Sequence, residues 1–190
     1  MDMKKFSAFT IAILFSFSFL QAQESEFNLG DKVLSLGIGI GNSLYTGSYY
    51  SMGVPPLSFS YEQAIKDDVL ENGVIGIIGS IGYTSYKYRY TFSTFDYGWN
   101  YSNLYFGVGG SFHYPFLDKL DTYAAIMLGY NIATAKEYGN IPGDDFSSSA
   151  GGFRFAGFVG ARYYFNDTFA AFAQVGYGIA YLTFGVSMRL

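Results

Sequence analysis

The chain reads as an all-β protein, a closed antiparallel eight-stranded transmembrane β-barrel following an N-terminal signal peptide. Three observations carry this reading. First, bulky and small side chains alternate strand after strand: Leu34, Leu36, Ile38 and Ile40 interleave with Ser35, Gly37, Gly39 and Gly41, and alternate residues of a strand face opposite sides. Second, the small set is mostly Gly, Ser and Ala, too small to need an apolar core, which suits lipid outside and a narrow, partly polar lumen inside. Third, aromatics make up 21% of the chain and glycines number 24. Both exceed ordinary usage, and Gly suits a lumen with little room.

The N-terminus comes first in the chain. Lys4 and Lys5 precede the apolar run Phe6–Leu20, and Leu20-Gln21-Ala22 follows. A charged segment, an apolar segment and small residues at a cleavage point make a signal peptide, residues 1–22. The run is short of the ~20 residues that a membrane-spanning helix needs. Residues 23–190 are then one barrel domain. The chain has no cysteine, which excludes disulfides, thiolate metal sites and cysteine nucleophiles. Its net charge is −4 with no basic cluster, so nucleic acid is not a partner.

Eight strands follow: Lys32–Asn42, Pro56–Gln63, Val74–Phe92, Phe95–Tyr114, Thr122–Ala135, Gly152–Phe165, Thr168–Tyr177 and Tyr181–Leu190. An even number lets a barrel close with both ends on one side. The connections around Ser43–Pro55, Ser85–Ser102 and Lys136–Gly151 are long and rich in Tyr or Gly. Those at Ala64–Gly73, Pro115–Asp121 and Asn166–Asp167 are shorter on average and more charged. Long outer loops and short periplasmic turns are the outer-membrane pattern. Two connections depart from it: Ala64–Gly73 is long for a turn, and Gly178–Ala180 is very short for an outer loop. On the lipid-facing parity, Tyr61, Phe112, Tyr114, Tyr163, Phe165 and Phe169 fall at the periplasmic ends, and Tyr83, Phe106, Phe153, Phe155 and Tyr177 near the outer ends. Ile75, Ile77, Ile126, Leu128, Val159 and Val175 lie between them. Two aromatic girdles around an aliphatic band fit a bilayer.

With its signal peptide, eight strands and final segment Tyr177–Leu190, the chain resembles the small outer-membrane β-barrel proteins of the OmpA/OmpX transmembrane-domain type. The resemblance is one of pattern and covers nearly all of residues 23–190. It implies residence in the outer membrane of a Gram-negative-type bacterium, contact with outer-membrane lipid, and assembly by the barrel-insertion machinery. Such barrels usually end in an aromatic residue; this chain ends in Leu190. One barrel architecture hosts many activities, so the resemblance leaves the role to the site residues.

Lumen parity collects Glu62, His113, Arg162 and Arg189 in the periplasmic half, with Arg154 and Gln174 higher up. Buried charge must be paired, so Glu62 is expected to meet Arg162 or Arg189 and form a polar plug. Three arginines against one glutamate also raise a gated path or anion site as the alternative. Catalysis is not expected. The only histidine, His113, points inward, Ser111 is ~7 Å along the same strand by rise, and no acid stands at an obvious spacing to orient the imidazole. Asp67-Asp68 and Asp144-Asp145 do not match the twelve-residue calcium loop. Gly39-Ile40-Gly41 and Gly107–Gly110 lack the helix and Lys-Ser/Thr of phosphate loops. No cofactor or metal is expected.

Residues 86–103 form the most distinctive segment. Tyr86, Tyr88, Tyr90 and Phe92 alternate with Lys87 and Arg89, and Phe95, Tyr97, Trp99 and Tyr101 return. A turn at Ser93-Thr94 makes four aromatic cross-strand pairs, each worth about 0.2–1 kcal/mol. Tyr97-Gly98 is the rival turn. This aromatic hairpin is read as an exposed surface for an extracellular protein or glycan. Lys87 and Arg89, on the lipid-facing parity, are read as lipid-headgroup contacts that hold the aromatic face outward. The expected role is thus structural or cell-surface interaction. The alternatives are a barrel that binds or helps transport a small ligand, a lipid-modifying enzyme, and a soluble lipocalin-like binder, which the polar interior and the mid-chain position of Trp99 oppose.

Overall fold

The computed structural model describes residues 25–41, 49–89, 97–139 and 146–190. These form β1 (Lys32–Ile40), β2 (Tyr50–Val69), β3 (Gly73–Arg89), β4 (Tyr97–Leu117), β5 (Leu120–Gly139), β6 (Ser147–Tyr164), β7 (Phe169–Tyr177) and β8 (Leu182–Arg189). All neighbours are antiparallel, and β1 pairs with β8, so the sheet closes on itself. The seam runs from Val33 opposite Arg189 to Ile40 opposite Leu182.

Several strands outrun their expected bounds. Ala64–Gly73 is not a long turn: β2 continues to Val69, with register shifts at Ala64/Lys66 and Lys66/Val69, and reverses through residues 70–72. Asp68, Leu70 and Glu71 there have φ of 52°, 53° and 78°. Pro115–Asp121 shrinks to a two-residue turn, Asp118-Lys119, with Lys119 at φ 62°. At the other end β2 starts at Tyr50 rather than Pro56, and β5 and β6 extend to Gly139 and from Ser147. Polar and charged residues mark loops in an average sequence, but a strand that leaves a membrane meets water on its outer face and carries such residues without breaking its ladder.

Period-2 alternation holds through the middle of the barrel. Ile126 is 73% exposed while adjacent Met127 is 2% exposed. Register rows make the exterior legible. Across β3, β4, β5 and β6 the outward residues align as Ile75–Phe112–Ala124–Val159, Ile77–Gly110–Ile126–Gly157, Gly79–Val108–Leu128–Phe155, Ile81–Phe106–Tyr130–Phe153 and Tyr83–Leu104–Ile132–Gly151. None carries a charge. From Thr122 to Ile132 the outward face of β5 rises about 33 Å along the strand, or ~25 Å in height at a tilt near 40°, the height of a bilayer's apolar band on such barrels. Leaving residues such as Phe153 or Val108 in water would forfeit about 1.5–3 kcal/mol each, a cost that an apolar surrounding would remove.

The interior is layered. At the short-turn end a strap, Ser25–Asp31, folds back into the opening. Phe27 is fully buried there with Val33, Ala64 and Val74, and strand-like bonds hold it: Gly30 N–H donates to Ala64 O at 3.2 Å and Ala64 N–H to Asp31 O at 2.9 Å. A charged layer follows. Above it lies an apolar layer of Ile78, Tyr105, Met127 and Ala156, packed by Phe158 and Ile179. The expectation of an interior without apolar packing is therefore wrong at this level. Gly and Ser leave space at neighbouring inward positions, and a few large side chains reach across to fill it.

Candidate functional site: a closed charge ring and an aromatic wall

β2, β4, β5 and β6 each deliver one charged or titratable side chain to the layer above the strap. Glu62 (β2), His113 (β4), Asp121 (β5) and Arg162 (β6) are 1%, 0%, 3% and 2% exposed. Arg162 Nη1 donates to Asp121 Oδ2 at 3.0 Å and Nη2 donates to Glu62 Oε2. His113 Nδ1 lies 2.7 Å from Asp121 Oδ1, and Nε2 lies 2.9 Å from Glu62 Oε1. The four groups form a ring in which each carboxylate bridges the imidazole and the guanidinium. Two carboxylate oxygens facing two ring nitrogens need two N–H donors, which the imidazolium has and the neutral ring lacks. With His113 cationic, the ring holds two positive and two negative charges. Rings of aromatic carbon enclose it: Phe27 and Tyr123 lie 4.1 and 5.4 Å from His113 on centroids, and the Arg162 guanidinium sits 4.6 Å from the Tyr123 ring.

Of the sequence-predicted lumen residues, the ring takes Glu62, Arg162 and His113. Gln174 lies one layer higher and accepts from Tyr123 OH at 3.2 Å. Arg189 does not meet Glu62. Its Nη2 donates to the Glu26 carbonyl and to Glu26 Oε2 at 3.2 Å, Nε lies 3.7 Å from Asp31 Oδ2, and the guanidinium stacks 4.3 Å from the Tyr164 ring. Arg189 thus ties the last strand to the strap. Arg154 sits above the apolar layer, half-buried, on the inward parity opposite Gly129. The anticipated excess of arginine over acid is absent in the ring, because Asp121 joins it. Asp121 escaped notice by lying at the edge of an assumed turn. It is the register partner of Arg162 and shares parity with Tyr123 and Met127, so starting that strand one residue earlier reveals it.

Two expectations about His113 also fail. Ser111 Oγ lies 3.1 Å from Nε2, because side chains two apart on one strand lean together when the lumen curves inward. An acid does orient the ring, namely Asp121. Ser111, His113 and Asp121 therefore touch in the order of a nucleophile, base and orienting acid. All three are buried, and Nε2 is shared with Glu62.

At the long-loop end, β2 to β6 run on past the last apolar row while β7, β8 and β1 stop near it. The result is a five-stranded wall on one side of the barrel mouth. Tyr86 pairs with Tyr101 and Tyr88 with Trp99, the register expected from the aromatic pattern. Tyr90, Phe92, Phe95 and the Ser93-Thr94 turn lie outside the described residues, as do Asp144, Asp145 and residues 1–22. The aromatic face does not point outward. Ladders β3–β4 and β4–β5 carry no register shift here, so Tyr86, Tyr88, Tyr97, Trp99 and Tyr101 continue the lumen face, with Tyr86 4% exposed. Tyr88 packs 5.1 Å from Tyr50, Tyr50 packs 5.9 Å from Tyr101, and Trp99 meets Phe146 edge-on at 5.8 Å. Lys87 and Arg89 occupy the opposite face and are exposed. Along β6, Ser147–Ala156 pairs with β5, while the pairing to β7 starts at Gly157.

Neither a family model nor a curated protein matches the chain. Among solved structures, Ail, the attachment invasion locus protein of Yersinia pestis, in complex with the heparin analogue sucrose octasulfate, is similar at 17% identity, covering 85% of this chain and 96% of that one with a TM-score of 0.49. A second Ail structure gives 16% identity, the same coverage and 0.48. The N-terminal β-barrel domain of Pseudomonas aeruginosa OprF gives 17% identity, 88% and 100% coverage, and 0.42. The chain has the architecture of the small eight-stranded antiparallel β-barrels, a closed ring established by its own strand pairing.

Proposed function

We propose that the protein is an outer-membrane barrel with a sealed lumen, exported by a signal peptide cleaved after Ala22, and that it works at the cell surface through the wall formed by β2–β6. The observation that carries this reading is the wall itself. Five strands rise beyond the apolar band, their inner face is aromatic, and β6 offers Ser147–Ala156 with a sheet neighbour on one side only. Tyr and Trp give large contact area at little entropic cost, and a concave aromatic face suits a glycan or a protein segment. The interior supports a structural plug rather than a path. Two interior cavities lined by described residues, of about 50 and 30 Å³, have room for water but not for a solute. The buried Ser111–His113–Asp121 contact has no room for a substrate, which supports a non-enzymatic role.

The test pairs two measurements. Tyr88→Ser/Trp99→Ser/Tyr101→Ser should abolish adhesion of whole cells to glycan or protein surfaces while leaving the barrel's compact, heat-modifiable gel band. Planar bilayers containing the wild-type protein should show no ion conductance. Adhesion unchanged in the triple variant, or steady conductance, overturns the reading.

A further inference from the structure

The outward face just above the apolar band has two more register rows, and they differ from those below. Ser85, Ser102, Thr134 and Ser149 align as a row of hydroxyls. Next come Lys87, Asn100, Lys136 and Ser147. Lys87 and Lys136 are both exposed and two strands apart, about 9.6 Å at the usual strand spacing, close enough for both flexible stems to reach one anion. Asn100 stands between them on the middle strand.

Lower on the same face, past the Tyr83–Leu104–Ile132 row, is an apolar groove of about 590 Å³. Its floor is Gly79, where an added Cβ would meet nothing within 4 Å. Its walls include Phe59, Ile81, Phe106, Leu128 and Tyr130. The spacing joins the two features. Gly79 to Lys87 is about 26 Å along the strand and ~20 Å in height at a tilt near 40°, which is one leaflet from headgroup to chain end.

We propose that this face is a binding site for a single phosphate-bearing lipid, its phosphate held by Lys87, Lys136 and the hydroxyl row, its acyl chain laid in the groove over Gly79. Charge complementarity and leaflet depth select this occupant. A second copy of this face would set lysines against rows that hold no acid, leaving them desolvated and unpaired, and a free anion would leave the groove unfilled. The site deepens the headgroup reading of Lys87 by adding Lys136, which sits on a different strand, and it rests on the wall facing the outer leaflet.

The test uses full-length mature protein in detergent, titrated with dipalmitoyl phosphatidic acid, with bound lipid counted by native mass spectrometry. One lipid should bind saturably. Lys87→Gln/Lys136→Gln should weaken binding about 30-fold, since each cation near a lipid phosphate contributes ~1 kcal/mol. Gly79→Leu should weaken it comparably by filling the groove, from a position where the added Cβ meets nothing within 4 Å. Dipalmitoylglycerol, which lacks the phosphate, should bind no better than the lysine variant, and excess inorganic phosphate should not displace the lipid. Unsaturable binding, or affinity unchanged in either variant, overturns the site. Displacement by inorganic phosphate makes it a free-anion site and overturns it too. Orientation is read separately: a membrane-impermeant maleimide should label Ser148→Cys on intact cells and spare Asp118→Cys, a clean readout because the chain has no cysteine of its own. Reversed labelling would refute the outward wall while leaving the lipid titration to stand or fall alone.

Discussion

Replacing Arg162 with methionine keeps much of its aliphatic packing and removes the cation that bridges both carboxylates of the ring. Glu62 and Asp121 would then share only His113, leaving one negative charge unbalanced among groups at most 3% exposed. Removing one partner of a buried pair costs about 3–5 kcal/mol, and the lost contact with the Tyr123 face adds to it. Glu62→Gln alone leaves one surplus positive charge and should cost a similar amount. The double variant restores neutrality, with Asp121 facing His113. Its cost should fall short of the sum of the two by ~2 kcal/mol or more. Urea unfolding in detergent micelles measures the cycle, followed by the fluorescence of Trp99, which sits in the wall away from the ring, and by the compact fraction on unheated gels. A cost below ~1 kcal/mol for Arg162→Met, or single-variant costs that add within ~0.5 kcal/mol, would refute the view of the four groups as one charge-balanced unit.

Phe27→Ala removes the fully buried ring of the strap and should loosen residues 25–31 by about 3 kcal/mol without opening the barrel; limited proteolysis should then cut within the strap about 100-fold faster, and an unchanged cutting rate would show that the Arg189 contacts hold it alone. Gly185→Val should hinder closure of the seam. A Cβ at Gly185 would run into the Leu36 carbonyl and come within 2.8 Å of Gly37 Cα, so the compact gel band should weaken. Gly152→Ala, where a Cβ meets nothing within 4 Å, should leave stability within about 0.5 kcal/mol, and equal behaviour of the two variants would remove close packing as the reason for the seam glycine.

Parity was legible in the chain because a strand's side-chain period is two and the five outward rows carry no charge to blur it. From it followed the eight strands, the inward placement of Glu62, His113 and Arg162 and the outward girdle residues, while the Tyr86–Tyr101 and Tyr88–Trp99 register followed from placing the turn at Ser93-Thr94. Tertiary structure decided what parity cannot reach. Which inward charges meet across a lumen depends on tilt and stagger, so Arg162 rather than Arg189 found Glu62, and Asp121 completed the ring from a neighbouring strand. The strap has no periodicity to announce it. Phe27 becomes a plug only because β2 offers Ala64 and β8 offers Arg189 at the mouth. The wall's aromatic face points inward because the β3–β4 and β4–β5 ladders run without a shift from the apolar rows to the mouth; one bulge would have turned it outward, and whether a ladder bulges is decided by the folded pairing.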